Sequence, residues 1–326
     1  MSDTSILVLA TGGTIAGQAG SATRRDYRPG QIDIATFLQD FAALGMRARL
    51  DGQQIANIDS ANIGPDIWRA LHQAVEGAMD DPLCSAVIIT HGTDTAEETA
   101  FLLDLTLPTS KPVVLVGAMR PADAVGSDGL RNFANAVRVA ADADAPGRGV
   151  LLVMGDEVLS ARDARKARTT GSNAFKGFPR GAVALATPAS LDWLQGQWRL
   201  HEEARWAFPA EFPRVPILHC YAGQTADSAT RLVQAGARGI VLAGLGDGNA
   251  PDSVREALAE AAKEGIVVVR ATRVDEGLVD REPQDDINGF VAARALGPAK
   301  ARILLQVLIA NGVTDPASVQ DAFDRR

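Results

Sequence analysis

At 326 residues the chain exceeds the size at which a single hydrophobic core stops growing, which favours two domains. Hydrophobic residues make up 46% and charged residues 22%, the balance of a folded globular protein, so extensive disorder is excluded. The formal net charge is −8 with dispersed acids, and no basic cluster alternates with aromatics, so neither nucleic acid nor a membrane surface is expected as a partner.

Residues 6–10 form a short apolar run, too short for a signal-peptide core, and the N-terminus carries no basic segment. No apolar run approaches membrane-spanning length, and a cytoplasmic location is expected. The run reads as a buried parallel strand and ends on Thr11-Gly12-Gly13-Thr14-Ile15-Ala16-Gly17. Residues 17–30 follow as a polar, glycine-punctuated loop containing Tyr27, suited to close over a bound ligand. An amphipathic stretch at 67–79 leads to a second apolar run, 86–90, which ends on Thr90-His91-Gly92-Thr93-Asp94-Thr95. There Thr95-x-x-Glu98 reads as a capping box that opens a helix over 95–105.

Strand-like 112–116, helical 130–141 and strand-like 150–154 continue the alternation. Arg162, Arg165, Lys166 and Arg168 form the densest basic stretch, either a solvated loop or a functional site for one member. The rhythm breaks between about 190 and 215, where Trp193, Trp198, Trp206, Pro209 and Pro213 crowd an aperiodic segment. It resumes with strands at 216–220, 239–242 and 266–270 and helices at 225–234 and 253–264. The expected fold is α/β: a large N-terminal domain with a mostly parallel sheet flanked by helices, plus a smaller C-terminal α/β domain. The expected boundaries are 1–190 for the first domain, 191–214 for the connection and 215–326 for the second.

There is no HExxH, CxxC, GxSxG or Walker lysine, and His72, His91, His201 and His219 have no metal-ligand spacing, so neither metal nor cofactor is expected. His91, closing a buried strand, reads as a structural hydrogen-bonder. Cys84 and Cys220 read as buried thiols. Gly244-Leu245-Gly246-Asp247-Gly248-Asn249 lacks the spacing of a dinucleotide loop and reads instead as a turn that presents Asn249.

Without metal, cysteine or a histidine base, amide hydrolysis falls to a hydroxyl with a neighbouring base. Thr14 is one candidate, because Gly12 and Gly13 remove side-chain bulk and expose backbone N–H groups to an oxyanion. Thr93 with Asp94 is the other. Lys166 is the basic residue best placed to serve them, either neutral as a base or charged and orienting the carboxylate.

These segments resemble the bacterial-type L-asparaginases, including the glutaminase-asparaginases. The resemblance covers TGGTIAG from Thr11, SATRRDY ending at Tyr27, NIDS ending at Ser60, THGTDTAEETA from Thr90 and KPVVLVGAMRP from Lys111. It continues through RGVLLVM from Arg148, ARDARKARTT from Ala161, AGLGDGN from Ala243 and KARILLQ from Lys300. It implies an amidohydrolase that converts L-asparagine, with L-glutamine as a possible second substrate, to the acid and ammonia through an acyl-threonine intermediate.

On that resemblance Thr14 is the nucleophile, Tyr27 supports its activation, and Thr93, Asp94 and Lys166 form a second catalytic group, in which Thr93 either positions a water or attacks in its own right and Lys166 and Asp94 tune it. Gly13, Ser60, Thr93 and Asp94 hold the substrate, and Asn249 and Glu282 reach it from a neighbouring subunit of a homotetramer. The chain departs from the pattern at Ala61, where the family places Gln or Glu, and in the spacing around Glu282. Cys84 lacks the disulfide partner of secreted members. The contrasting readings are a non-hydrolytic amino-acid-binding module and an amidase domain of a tRNA-linked amidotransferase. Intact Thr14, Tyr27, Thr93, Asp94 and Lys166 argue against the first; no extra domain or basic surface supports the second.

Overall fold

Residues 4–18, 30–45, 48–108, 110–198 and 205–325 are described by a computed structural model of the chain. Their contacts divide into two units, Met1–Arg205 and Trp206–Arg326. The first unit contains β1 (Ser5–Gly12), α1 (Ile34–Ala43), β2 (Leu50–Ile58), α2 (Pro65–Asp80), β3 (Cys84–Thr90), α3 (Ala96–Thr106) and β4 (Val113–Val116). It continues with α4 (Gly129–Ala140), β5 (Val150–Met154), β6 (Glu157–Ser160), β7 (Ala164–Lys166), β8 (Phe175–Gly177), β9 (Ala184–Ala186) and β10 (Leu191–Trp193). One sheet runs in the order β10-β9-β6-β5-β4-β3-β1-β2, and β7 pairs with β8 apart from it. From β5 to β2 every pairing is parallel, while β6, β9 and β10 extend the sheet antiparallel.

The central strands are apolar along their length because both faces are covered. Ile6, Val8, Ile88 and Val114 point into a core shared with Phe37 and Phe41 of α1 and Phe133 of α4. Leu9, Val87, Ile89 and Leu115 point the other way, toward Leu71 and Val75 of α2 and Leu103 of α3. Phe133 meets both Phe37 and Phe41 edge-on, with ring centroids 5.0 and 4.7 Å apart.

This placement of helices has a topological consequence. α1 links β1 to β2 over one face; α2 and α3 link β2 to β3 and β3 to β4 in the opposite direction over the other face. Those connections therefore share one hand. α4 links β4 to β5 in the same direction as α3 but packs on the face of α1, so its crossover has the opposite hand. About 98% of such connections are right-handed, which makes β4–α4–β5 the exceptional left-handed one.

The second unit holds β11 (Ile217–His219), α5 (Asp227–Gln234), β12 (Gly239–Gly244), α6 (Asp252–Lys263), β13 (Val267–Thr272), α7 (Pro283–Asn288), β14 (Phe290–Ala292), α8 (Pro298–Ala310) and α9 (Pro316–Asp324). Its strands form a parallel sheet in sequence order. Within it the Arg270 guanidinium is buried. It pairs with Asp285 through Nε and Nη2 at 2.9 and 2.8 Å and also donates to the carbonyls of Asp247 and Asp280. Burial opposes its charge, but the Asp285 hydrogen bonds and charge overcome this and raise its pKa.

Two expectations differ from the structure. The segment 191–214 does not begin as a connection: Leu191–Trp193 pairs with β9, Trp193 Nε1 donates to Asp142 Oδ1 at 3.0 Å, and Arg148 stacks 3.8 Å over the Trp193 ring. The tryptophan crowding there is packing at a sheet edge. The expected capping box of α3 is also not formed: the Thr95 oxygen accepts no N–H from the first turn, and its hydroxyl donates to the Ser60 carbonyl at 2.9 Å.

Arg270→Gln is expected to lower stability by about 3–5 kcal/mol, because it strands the buried Asp285 carboxylate. Urea unfolding checks this, and a loss below about 1 kcal/mol contradicts it.

Candidate active site

The parallel strands β2, β1, β3 and β4 lie side by side and all end at one edge of the sheet, where open α/β sheets hold ligands. Ser60 follows β2, Thr14 follows β1, Thr93 and Asp94 follow β3, and Gly117 follows β4. Glycines let these strand ends touch. Gly12 and Gly13 have φ of +100° and +78°. A Cβ on Gly13 would stand 2.4 Å from Gly92 Cα, and one on Gly92 would stand 2.6 Å from Ser60 Oγ. Thr11 Oγ1 ties β1 to β3 by donating to the Thr90 carbonyl at 3.0 Å. Thr14 and Thr93 are therefore each one residue beyond glycines whose backbones abut, and both are buried.

Lys166 arrives from a different element. It ends β7, opposite Phe175 of β8. From there Lys166 Nζ donates to Thr93 Oγ1 at 2.9 Å and pairs with Asp94 Oδ1. The Lys166 side chain is 18% exposed and that of Asp94 62%, so the pair runs from a covered hydroxyl out toward solvent. Because the Thr93 oxygen accepts from Lys166, its own proton is left to point toward a water or a substrate. The neighbouring Arg165 guanidinium lies 4.8 Å from the Phe178 ring centroid. Arg165 and Lys166 of the basic stretch thus lie in a hairpin strand, with Arg162 in the turn before it and Arg168 exposed beyond it.

His91 sits beneath this edge as a structural group, as expected from the sequence. Its Nδ1 lies 2.7 Å from the Gly92 carbonyl, which can only accept, so Nδ1 carries the proton. Nε2 then accepts from the Thr99 hydroxyl at 3.0 Å, and Thr99 accepts from Trp68 Nε1 at 2.9 Å. Burial pushes the His91 pKa from 6.5 down to about 4, with the Gly92 hydrogen bond opposing that shift. The ring is neutral and fixes the Gly92 carbonyl that precedes Thr93.

Of the residues singled out by the sequence, Gly13, Thr14, Ser60, Thr93, Asp94 and Lys166 are assembled in the first unit. One expected role changes. The Gly13 N–H is not offered to an oxyanion, since it donates to the Ile58 carbonyl at 3.0 Å; Gly13 contributes its missing side chain. Tyr27 and the loop over 19–29 lie outside the described residues. Asn249 and Glu282 belong to the second unit. Asn249 exchanges two 2.7 Å backbone hydrogen bonds with Leu245 in a tight turn, and Glu282 Oε1 lies 3.8 Å from Arg270 Nη1.

Gly117, Thr99 and Trp68 also shape the site without having been singled out. A Cβ on Gly117 would stand 2.8 Å from the His91 carbonyl and 3.0 Å from Thr93 Cγ2. The signal for Gly117 is the same as for Gly13, a glycine directly after a parallel strand. Among the described residues, no group of three or more His, Cys, Asp or Glu is arranged to hold a metal, and no helix is long and apolar enough to cross a membrane.

The depressed His91 pKa has a signed consequence. The unfolded chain binds the extra proton first, so this group's stabilisation is complete above pH 6.5 and is lost as pH falls toward 4, about 2 kcal/mol between pH 6.5 and 5. NMR titration is expected to find the His91 ring neutral down to pH 5; a midpoint near 6.5 contradicts the buried network.

Comparison with known proteins matches this architecture to one family along almost the whole chain. Residues 5–199 match the family described as "Asparaginase, N-terminal", and residues 214–323 match "Glutaminase/Asparaginase C-terminal domain". The chain is 40% identical to L-asparaginase 2 of Escherichia coli strain K12, across 98% of this chain and 92% of that protein. It is 36% identical to a glutaminase-asparaginase of Pseudomonas fluorescens biotype A, across 93% and 86%. Among solved structures, a probable cytoplasmic L-asparaginase from Campylobacter jejuni superposes with a TM-score of 0.92 at 35% identity, covering 98% of this chain and 99% of that one. With both domains matched in order and the threonine segments meeting at one sheet edge, the protein belongs to the asparaginase family of amide hydrolases.

Proposed function

We propose that this L-asparagine amidohydrolase works through an acyl-threonine intermediate on Thr14. The observation that carries the reading is Lys166, which bridges the Thr93 hydroxyl and the Asp94 carboxylate beside a backbone contact that brings the Thr14 segment against Gly92. In the proposed sequence, Thr14 Oγ1 attacks the side-chain amide carbon, and the proton it gives up is passed to the amide nitrogen. The tetrahedral intermediate then collapses, and the amide nitrogen departs as ammonia once protonated. Thr93, oriented by Lys166 and Asp94, positions the water that cleaves the ester, releasing L-aspartate and restoring the Thr14 hydroxyl. Tyr27 supports activation of Thr14. Ser60 and Asp94 hold the α-carboxylate and α-amino ends of the substrate.

The chain is proposed to act as a homotetramer in which Asn249 and Glu282 complete a neighbouring copy's site. The rigid turn that fixes Asn249, and the buried Arg270 beside both that turn and Glu282, support this reading. A cytoplasmic location is supported by two buried free thiols, Cys84 and Cys220. Dual activity toward glutamine is the second reading, supported by the identity to a glutaminase-asparaginase. The two substrates differ by one methylene, worth about 1–3 kcal/mol in a pocket.

Thr14→Ala is expected to lower ammonia release by about 10⁴-fold or more while calorimetry still detects aspartate binding. Thr14→Ala and Asn249→Ala subunits, co-assembled, are expected to regain turnover that neither has alone; no recovery counts against completion in trans.

Ala61 is exposed in the 3-10 turn Ser60–Asn62, its N–H donating to Asp59 Oδ1 at 3.0 Å, and its methyl offers nothing to an α-amino group. Ala61→Gln is expected to lower the KM for asparagine by about tenfold, equivalent to about 1.4 kcal/mol. Measuring asparagine and glutamine side by side checks this, and an unchanged KM refutes it.

A further inference from the structure

The loop between β4 and α4 forms a wall of the site, and buried polar groups hold it there. Asp128, buried just ahead of α4, accepts the Met119 N–H with both carboxylate oxygens at 3.1 Å and the Arg120 N–H at 2.9 Å. Its Oδ2 also accepts from Asn132 Nδ2 at 3.2 Å. Asn132, fully buried one turn into α4, donates to the Gly117 carbonyl at 3.0 Å and accepts from the Gly155 N–H at 3.2 Å. One carboxylate and one amide thus fasten both ends of residues 117–120 to the start of α4.

What this loop touches makes it relevant to the reaction. Gly117 leaves no room for a Cβ against Thr93 Cγ2 or the His91 carbonyl. On the other side, a Cβ on Gly129, next to Asp128, would stand 3.2 Å from Ile15 Cγ1 and 3.6 Å from Ala118 Cβ. Ile15 follows Thr14 directly. Farther along, the Ala122 N–H donates to the Gly17 carbonyl at 3.1 Å, joining the loop to the end of the Thr14 segment. The loop and the start of α4 together are therefore in contact with both threonine segments, Gly117 with Thr93 and Gly129 with Ile15.

We propose that Asp128, with Asn132, is a positioning residue for amide cleavage: the Asp128 carboxylate, through the Met119 and Arg120 N–H groups, and the Asn132 amide, through the Gly117 carbonyl, hold Gly117 against Thr93 and Gly129 against Ile15, and so fix the spacing of the two threonine segments. The inference rests on the reading that Thr14 and Thr93 carry the reaction. An amide cannot replace the carboxylate. Asp128→Asn keeps one acceptor for the backbone N–H groups, but the new NH₂ faces the NH₂ of Asn132. Turning Asn132 over would then set like groups against Gly117 and Gly155.

The test compares Asp128→Asn and Asn132→Ala with Asp104→Asn and Thr93→Ala in the full-length enzyme. Asp104 is a buried carboxylate that accepts the Val150 N–H at 2.9 Å at the opposite end of β5, away from the site. Asp128→Asn and Asn132→Ala are expected to lower kcat at least tenfold with KM changed less than threefold. Asp104→Asn is expected to lower Tm with kcat per folded enzyme unchanged.

If Asp128→Asn and Asn132→Ala lower only Tm, as Asp104→Asn does, while Thr93→Ala is inactive, the positioning role is overturned and the threonine reading stands. If Thr93→Ala keeps wild-type turnover, the threonine reading fails and the inference fails with it. Should Asp128→Asn not fold, Asn132→Ala decides: a tenfold loss of kcat supports the proposal, and an unchanged kcat overturns it.

Discussion

Backbone-to-backbone contact between parallel strand ends is the constraint on which this site depends. Gly13 lies backbone to backbone against Gly92, and Gly92 in turn leaves room only for the Ser60 side chain, so three chain segments meet where no further Cβ fits. Each threonine is then delivered by the residue that follows a glycine, so the positions of the hydroxyls are set by the sheet and not by long flexible side chains. Such placement is the kind that preorganises a reacting group without ordering it at the moment of reaction. It also explains why positive φ at Gly12 and Gly13 is required here and not merely tolerated.

The remaining polar groups can be understood as holding that contact in place. Thr11 joins β1 to β3, Thr95 joins the start of α3 to the Ser60 turn, and His91 passes a chain of hydrogen bonds from Trp68 to the Gly92 carbonyl. Lys166 then enters from a separate hairpin to donate to the Thr93 hydroxyl oxygen. Asp94 is the exposed end of that contact.

Much of this was legible in the sequence because the central strands are buried on both faces. Residues 86–90 and 150–154 read as continuous apolar runs, and their ends marked Thr93 and the approach to Lys166. What was not legible had a different physical basis. β2 is a sheet-edge strand with mostly exposed residues, so Leu50–Ile58 shows neither an apolar run nor an alternation. β7 to β10 are three-residue strands, shorter than any periodicity can resolve. Thr95 had the sequence of a helix cap, but its side chain makes no cap hydrogen bond and is turned to donate to the Ser60 carbonyl, a partner from a distant segment. The Gly13 N–H was likewise claimed by Ile58, a partner brought close only by the parallel register of β1 and β2.

The hand of the β4–α4–β5 crossover cannot be read from any local pattern either, and it bears on how the protein becomes active. A helix that packs back on its own two strands completes a self-contained unit. α4 instead lies with α1, where Phe133 is covered by Phe37 and Phe41, residues nearly a hundred positions earlier in the chain. The α4 end that abuts Ile15 and Gly117 therefore has no complete apolar cover until the N-terminal segment has docked. Assembly of the strand edge that carries Thr14 and Thr93 is tied by this reversal to closure of the whole first unit.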